Sequence, residues 1–156
     1  MLLLGCLGGS RASWSSRDGL LWDEAGRVGV PDLAARGWER TRIDESDLAF
    51  LRPGADVIAM RLRCDQAEPS TPLRWQSRGL WLGIPRSDFQ SREILWKGRK
   101  AFEMTAESDG LAVRTLLIEA SASCRLELAH VAQVGADTAT ADFERFLAAV
   151  QLGPAQ

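Results

Sequence analysis

Residues 99–107, 111–120 and the stretch opening at Cys124 follow one another with only Ser108-Asp109-Gly110 and Ser121-Ala122-Ser123 between them. Parallel neighbours need a crossover of a dozen or more residues, so segments this closely spaced can only pair antiparallel. Their patterning is that of strands. Phe102, Met104 and Ala106 alternate with Glu103, Thr105 and Glu107, the period-2 signature of a sheet with one wet face. Leu116-Leu117-Ile118 blurs the alternation of the next segment, which predicts a central strand covered on both faces. Asp109-Gly110 supplies the positive φ of a tight hairpin turn, and Lys97-Gly98 joins 89–96 to 99–107 in the same way. Four consecutive antiparallel strands result.

Shorter strand-like segments precede them: Gly26 to Pro31, Gly37 to Ile43, Leu48 to Leu51, and Val57 to Cys64 after the Pro53-Gly54 turn signal. The acidic run Asp44-Glu45-Ser46-Asp47 reads as a solvated turn. Two helices are predicted. Ser70 or Thr71 before Pro72 opens the first, with Leu73, Leu80, Trp81 and Ile84 on one face and Pro85 closing it. Asp137 or Thr138 caps the second, whose stripe is Phe143, Phe146, Leu147 and Val150, with Gly153-Pro154 ending it. The fold class is therefore α+β, an antiparallel sheet of about seven or eight strands with two main helices packed on it. A chain of 156 residues has room for one such domain, expected over 22–152 with a tail at 153–156.

Cys6 ends the run Leu3-Leu4-Gly5-Cys6, which resembles the lipobox of bacterial lipoproteins, where the Cys is acylated. On that reading residues 1–6 are the remnant of a lipoprotein signal. Residues 7–21, rich in Gly and Ser, are a flexible tether. With Cys6 set aside for lipidation, Cys64 and Cys124 remain. In 57–64 and in 124–130 the even positions are the apolar set, so both thiols point inward, Cys64 with Ile58, Met60 and Leu62. Two buried thiols are one outcome; in an exported protein a Cys64–Cys124 disulfide is the expected one.

Chemistry-bearing patterns are sparse. The formal charge of −2 and pI near 5.5 give no basic surface for a nucleic-acid backbone. One His and two distant cysteines do not complete a metal set, and no phosphate-binding or dinucleotide-binding glycine motif follows a strand, so neither metal nor cofactor is expected. His130, the sole imidazole, lies in line with Leu126 and Leu128 and reads as a core or sheet-end histidine with one hydrogen bond rather than a catalytic base. Glu103 and Glu107 read as solvent-facing alternation partners. Among the six Trp, Trp75 stands off the apolar stripe of the first helix beside Arg74 and Arg78. Arg74, Trp75 and Arg78 form the candidate contact patch.

Val30-Pro31, Gly37-Trp38, Gly98-Arg99-Lys100-Ala101 and Phe143-Glu144-Arg145-Phe146-Leu147 together resemble the PsbP-like superfamily, an α/β/α sandwich. The Cys64 strand and Cys124-x-x-Glu127-Leu128 resemble its small bacterial envelope lipoproteins, of the DcrB type, over about residues 26–152. The lipobox-like run, the tether, the single α+β domain and the missing catalytic set together point to a non-enzymatic, envelope-anchored domain acting as a protein-interaction module. Its partners would be the membrane, through the lipid anchor, and an envelope protein, with no nucleic acid. Leu7 after Cys6 favours the periplasmic face of the outer membrane, whereas an accidental lipobox match would leave the chain cytoplasmic. The alternative is a carrier or accessory protein holding a small apolar ligand or lipid for an envelope transporter.

Overall fold

The computed structural model describes residues 13–43, 46–64 and 89–153. In chain order these form β1 (Trp14–Arg17), β2 (Leu20–Asp23), β3 (Val28–Pro31), a single 3-10 turn (Leu33–Arg36), β4 (Glu39–Thr41), β5 (Leu48–Arg52) and β6 (Asp56–Cys64). Then follow β7 (Gln90–Trp96), β8 (Arg99–Ser108), β9 (Leu111–Glu119), β10 (Cys124–Gln133), the helix α1 (Asp137–Ala149) and β11 (Gln151–Leu152). Every strand pair is antiparallel. The four consecutive strands predicted from 89 onward are β7 to β10, and both turns named for them carry positive φ at their two central residues, 47° and 75° at Lys97-Gly98, 52° and 77° at Asp109-Gly110.

The sequence predicts one sheet and two main helices; the chain forms two sheets, and among the described residues one helix. The larger sheet runs β4-β5-β6-β10-β9-β8-β7, the smaller β1-β2-β3-β11. The early strands stay out of the larger sheet because they satisfy one another locally. Buried Asp23 accepts from the backbone N–H groups of Arg27 and Val28 at 2.6 and 2.8 Å, fastening the β2–β3 turn. Gly29 lies under the Trp22 ring, where a Cβ would come within 2.8 Å of ring carbons, so the two strands pack closely on each other. β11 then adds to β3 with Gln151 opposite Gly29. Residues 14–17, within the stretch expected to be tether, are thus a paired strand, and Trp14 packs against the core. Cys6, the predicted helix over 72–84 and the patch Arg74, Trp75 and Arg78 lie outside the described residues.

The main core lies between α1 and one face of the larger sheet. Phe143, Phe146 and Leu147 from α1 meet Phe50, Ile58, Met60, Leu116, Ile118, Leu126 and Leu128. Leu117, between Leu116 and Ile118, is equally buried on the opposite face with Phe102 and Met104, so β9 is covered on both sides as its unbroken apolar run predicts. The helix ends differ from expectation. Ala136, with no side-chain bond to the first turn, occupies the N-cap position in place of Asp137 or Thr138, and Val150 leaves the helix extended to start β11. Val150 is fully buried all the same.

Candidate functional site

β6 and β10 pair in register along their whole length, Cys64 opposite Cys124 at one end and Asp56 opposite Ala132 at the other. The cysteines, on matching faces as the alternation predicts, form a disulfide with Cα atoms 4.0 Å apart. Cys124 is buried with its sulfur 3.2 Å from Arg27 Nη1, while Cys64 lies at the exposed rim. The opposite end of the ladder carries charge instead.

There the inward row of β10 runs Leu126, Leu128, His130, Ala132, and that of β6 ends in Asp56. Asp56 is sealed from solvent. Its Oδ1 accepts from Arg52 Nε at 2.7 Å, and its Oδ2 lies 2.9 Å from His130 Nε2. Since the arginine fixes this group as an acceptor, Nε2 is the donor, leaving Nδ1 with its lone pair and no hydrogen bond. Arg52 reaches on to Asp142 of α1 at 2.6 Å, and Arg145 also pairs with Asp142. A parallel chain crosses from the far edge. Arg92 donates to Glu103 at 2.7 Å, Arg114 to the other oxygen of Glu103 at 2.8 Å, and Arg114 also pairs with Glu144 of α1. Phe143 lies between the two chains, stacked on His130 with centroids 4.6 Å apart and 5.6 Å from the Arg114 guanidinium carbon.

Glu103 corrects the sequence reading. It is 5 % exposed, not solvent-facing, because the face that looks wet in β8 is the one on which α1 and Arg114 close. Burial alone would push its carboxyl up, but the hydrogen bonds from Arg92 and Arg114 and their charges together hold it below the ordinary range. The hydrogen bonds from Arg52 and Arg145 hold Asp142 low, and Asp56 and Asp142 raise Arg52. At His130 burial is the largest influence and lowers the imidazole; Asp56 opposes it, while Arg114 and Arg52 add to it. The imidazole is therefore biased toward its neutral form.

A cavity of about 530 Å³ opens beside this histidine, against the first turn of α1. Its origin is steric. Ala112 of β9, Ala132 of β10 and Ala136 before α1 meet there and end at Cβ, where Leu116 and Leu128, further along the same rows, fill the space under the helix. Thr105, Glu107, Arg114, His130, Asp137 and Phe143 complete the wall. Chemically the arrangement offers one lone-pair acceptor, carboxylates, and a guanidinium already shared by two carboxylates. Among the described residues no group of three or more His, Cys, Asp or Glu could hold a metal ion.

His130 lies where the alternation puts it, with the one hydrogen bond expected. The sequence patterning alone does not single out Asp56, Arg52 or Arg114. The signal was present: extending the inward row of β6 back from Ile58 reaches Asp56, and that of β9 back from Leu116 reaches Arg114. A charged residue continuing an apolar row must be paired or placed at a cavity.

No protein-family model matches the chain, and no curated protein matches it. Among solved structures the chain is similar to cyanobacterial PsbP (CyanoP) from Synechocystis sp. PCC 6803, with a TM-score of 0.57 and 12% identity over 97% of this chain and 99% of that one. The likeness establishes a PsbP-like fold over nearly the whole of both chains, with two sheets where the expected sandwich had one.

Proposed function

We propose that this chain is a non-enzymatic, envelope-anchored lipoprotein domain of the DcrB type that acts as a protein-interaction module at the periplasmic face of the outer membrane. The observation that carries the reading is the Cys64–Cys124 bridge, since structural disulfides persist in exported proteins and are rare in reducing compartments. The Leu3-Leu4-Gly5-Cys6 spelling supplies an anchor compatible with that compartment. The PsbP-like fold supports the same reading. The carrier alternative places its apolar ligand between the sheet and the helix predicted over 72–84, which lies outside the described residues. Expression of the gene with its natural upstream region, followed by labelling with an alkyne fatty acid and membrane fractionation, tests the anchor. Label on the wild type that disappears in Cys6→Ser, in the outer-membrane fraction, is the expected result. Equal label in both, or none in either, overturns it.

A further inference from the structure

We propose that the cavity beside His130 is where the module grips its partner, by taking in a single lysine or arginine side chain. This rests on the reading of the chain as an interaction module and adds the chemistry of contact. The volume of about 530 Å³ falls in the ordinary range for ligand pockets. Its charge selects the occupant. Arg114 is the one cation in the wall, and its guanidinium is held by Glu103 and Glu144, with Arg92 on the other oxygen of Glu103, so this network is balanced within itself and offers no free cation. Glu107 and Asp137 in the wall add two more carboxylates. An anion entering there meets repulsion from Glu107 and Asp137; an ammonium or guanidinium meets attraction.

Hydrogen bonding points the same way. His130 is 5 % exposed, and its Nε2 proton is committed to Asp56. The remaining ring nitrogen can therefore only accept, which suits a ligand bearing N–H groups. Ala112, Ala132 and Ala136 give an apolar bed for an aliphatic stem whose charged end reaches the carboxylates.

The surroundings of the mouth distinguish a protein side chain from a free amine. Leu111 and Val134 are two of the three large apolar side chains left exposed among the described residues. They are neighbours there: Leu111 pairs with Gln133 of the cavity wall, and Val134 N donates to Gly110 O at 2.9 Å. Two exposed apolar side chains next to the cavity wall are of use to a partner with a surface to lay over them, and of none to a small soluble amine.

Because His130 is the chain's only histidine, one imidazole reports occupancy without ambiguity. The full chain, labelled with ¹⁵N-histidine, is titrated with N-acetyl-arginine amide, N-acetyl-lysine amide, butylammonium, acetate, and a blocked Leu-Arg-Leu peptide. The basic probes are expected to shift the ring signals saturably and to lower the imidazole titration midpoint, with the peptide at least tenfold tighter than butylammonium. Glu107→Gln with Asp137→Asn should weaken all basic probes about tenfold or more. Leu111→Ser with Val134→Ser should weaken only the peptide. Unfolding midpoints of both double variants, measured in parallel, establish that they are folded. Acetate binding with a raised midpoint, or no response to any probe, overturns the proposal. Butylammonium as tight as the peptide overturns the partner side chain in favour of a soluble amine. Fatty-acid labelling is read separately, so failure of the pocket with Cys6 labelling intact strikes the pocket alone.

Discussion

The two ends of the β6–β10 ladder are built from the same pairing and closed by opposite means. At the Cys64 end a covalent bond joins the strands directly, and the apolar row behind it, Leu62, Leu126 and Leu128, fills the space up to α1. At the Asp56 end the strands are held by charge, and three alanines leave the space open. The first arrangement needs nothing further to be complete. The second leaves an acceptor nitrogen without a donor and carboxylates in excess of cations. Stability and recognition are thus separated along one ladder about 30 Å long, nine residues at about 3.4 Å each.

The largest expected effect breaks the closed end. Replacing both bridged cysteines by serine should lower stability by about 4 kcal/mol on the loop-entropy account, given a sequence separation of 60. Urea unfolding with and without reductant measures it; a wild type whose midpoint ignores reductant would show that the bridge does not lock this end. At the open end, Asp56→Ala removes the acceptor shared by Arg52 and His130 and should cost about 3 kcal/mol. Equal midpoints for wild type and variant would mean that the charges there hold nothing.

A subtler contrast uses alanine alone. Ala59 is buried in mid-ladder opposite Ala129, so Ala59→Leu should cost about 1–3 kcal/mol through overpacking. Ala132→Leu extends into the cavity and should stay within about 1 kcal/mol of wild type, with loss of arginine-probe binding. Comparable losses at both positions would erase the distinction between packed and open ends.

The smallest effect is in pH. His130, facing Asp56 from β6, Arg52 from β5 and Arg114 from β9, titrates below its ordinary 6.5 in the folded chain. The unfolded chain therefore binds more protons just below that value, so the contribution of His130 is fully present above pH 6.5 and falls away as pH drops through the folded midpoint. The depressed carboxyl groups of Glu103 and Asp142 act in a separate window, their contributions lost only as pH falls below about 4.5 and 3.8. His130→Gln should flatten the upper slope and leave the lower one. An unchanged upper slope in that variant would assign it to another group.

Local chemistry made much of the fold legible. Asp109-Gly110 and Lys97-Gly98 fix two hairpins by φ alone, and alternation put Cys64 and Cys124 on matching faces before any pairing was known. The smaller sheet was not legible, because whether β3 joins β4 or β11 depends on contacts such as Gly29 under Trp22, which alternation does not encode. The site divides in the same way. His130 and its single hydrogen bond follow from parity along β10. Glu103 reads as wet until Arg114 and Glu144 close over it, and the cavity exists only because alanines from β9, β10 and the start of α1 converge.

The helix also sets which way the molecule presents itself. Its carboxyl end is tied down where Lys97 donates to the carbonyls of Ala148 and Val150, at 2.8 and 2.6 Å, and the chain passes directly into β11 and the smaller sheet. The cavity lies at its other end, thirteen residues and about 20 Å away. One element thus has its carboxyl end fixed beside the smaller sheet and its amino end at the cavity, so a change that shortens α1 moves both at once.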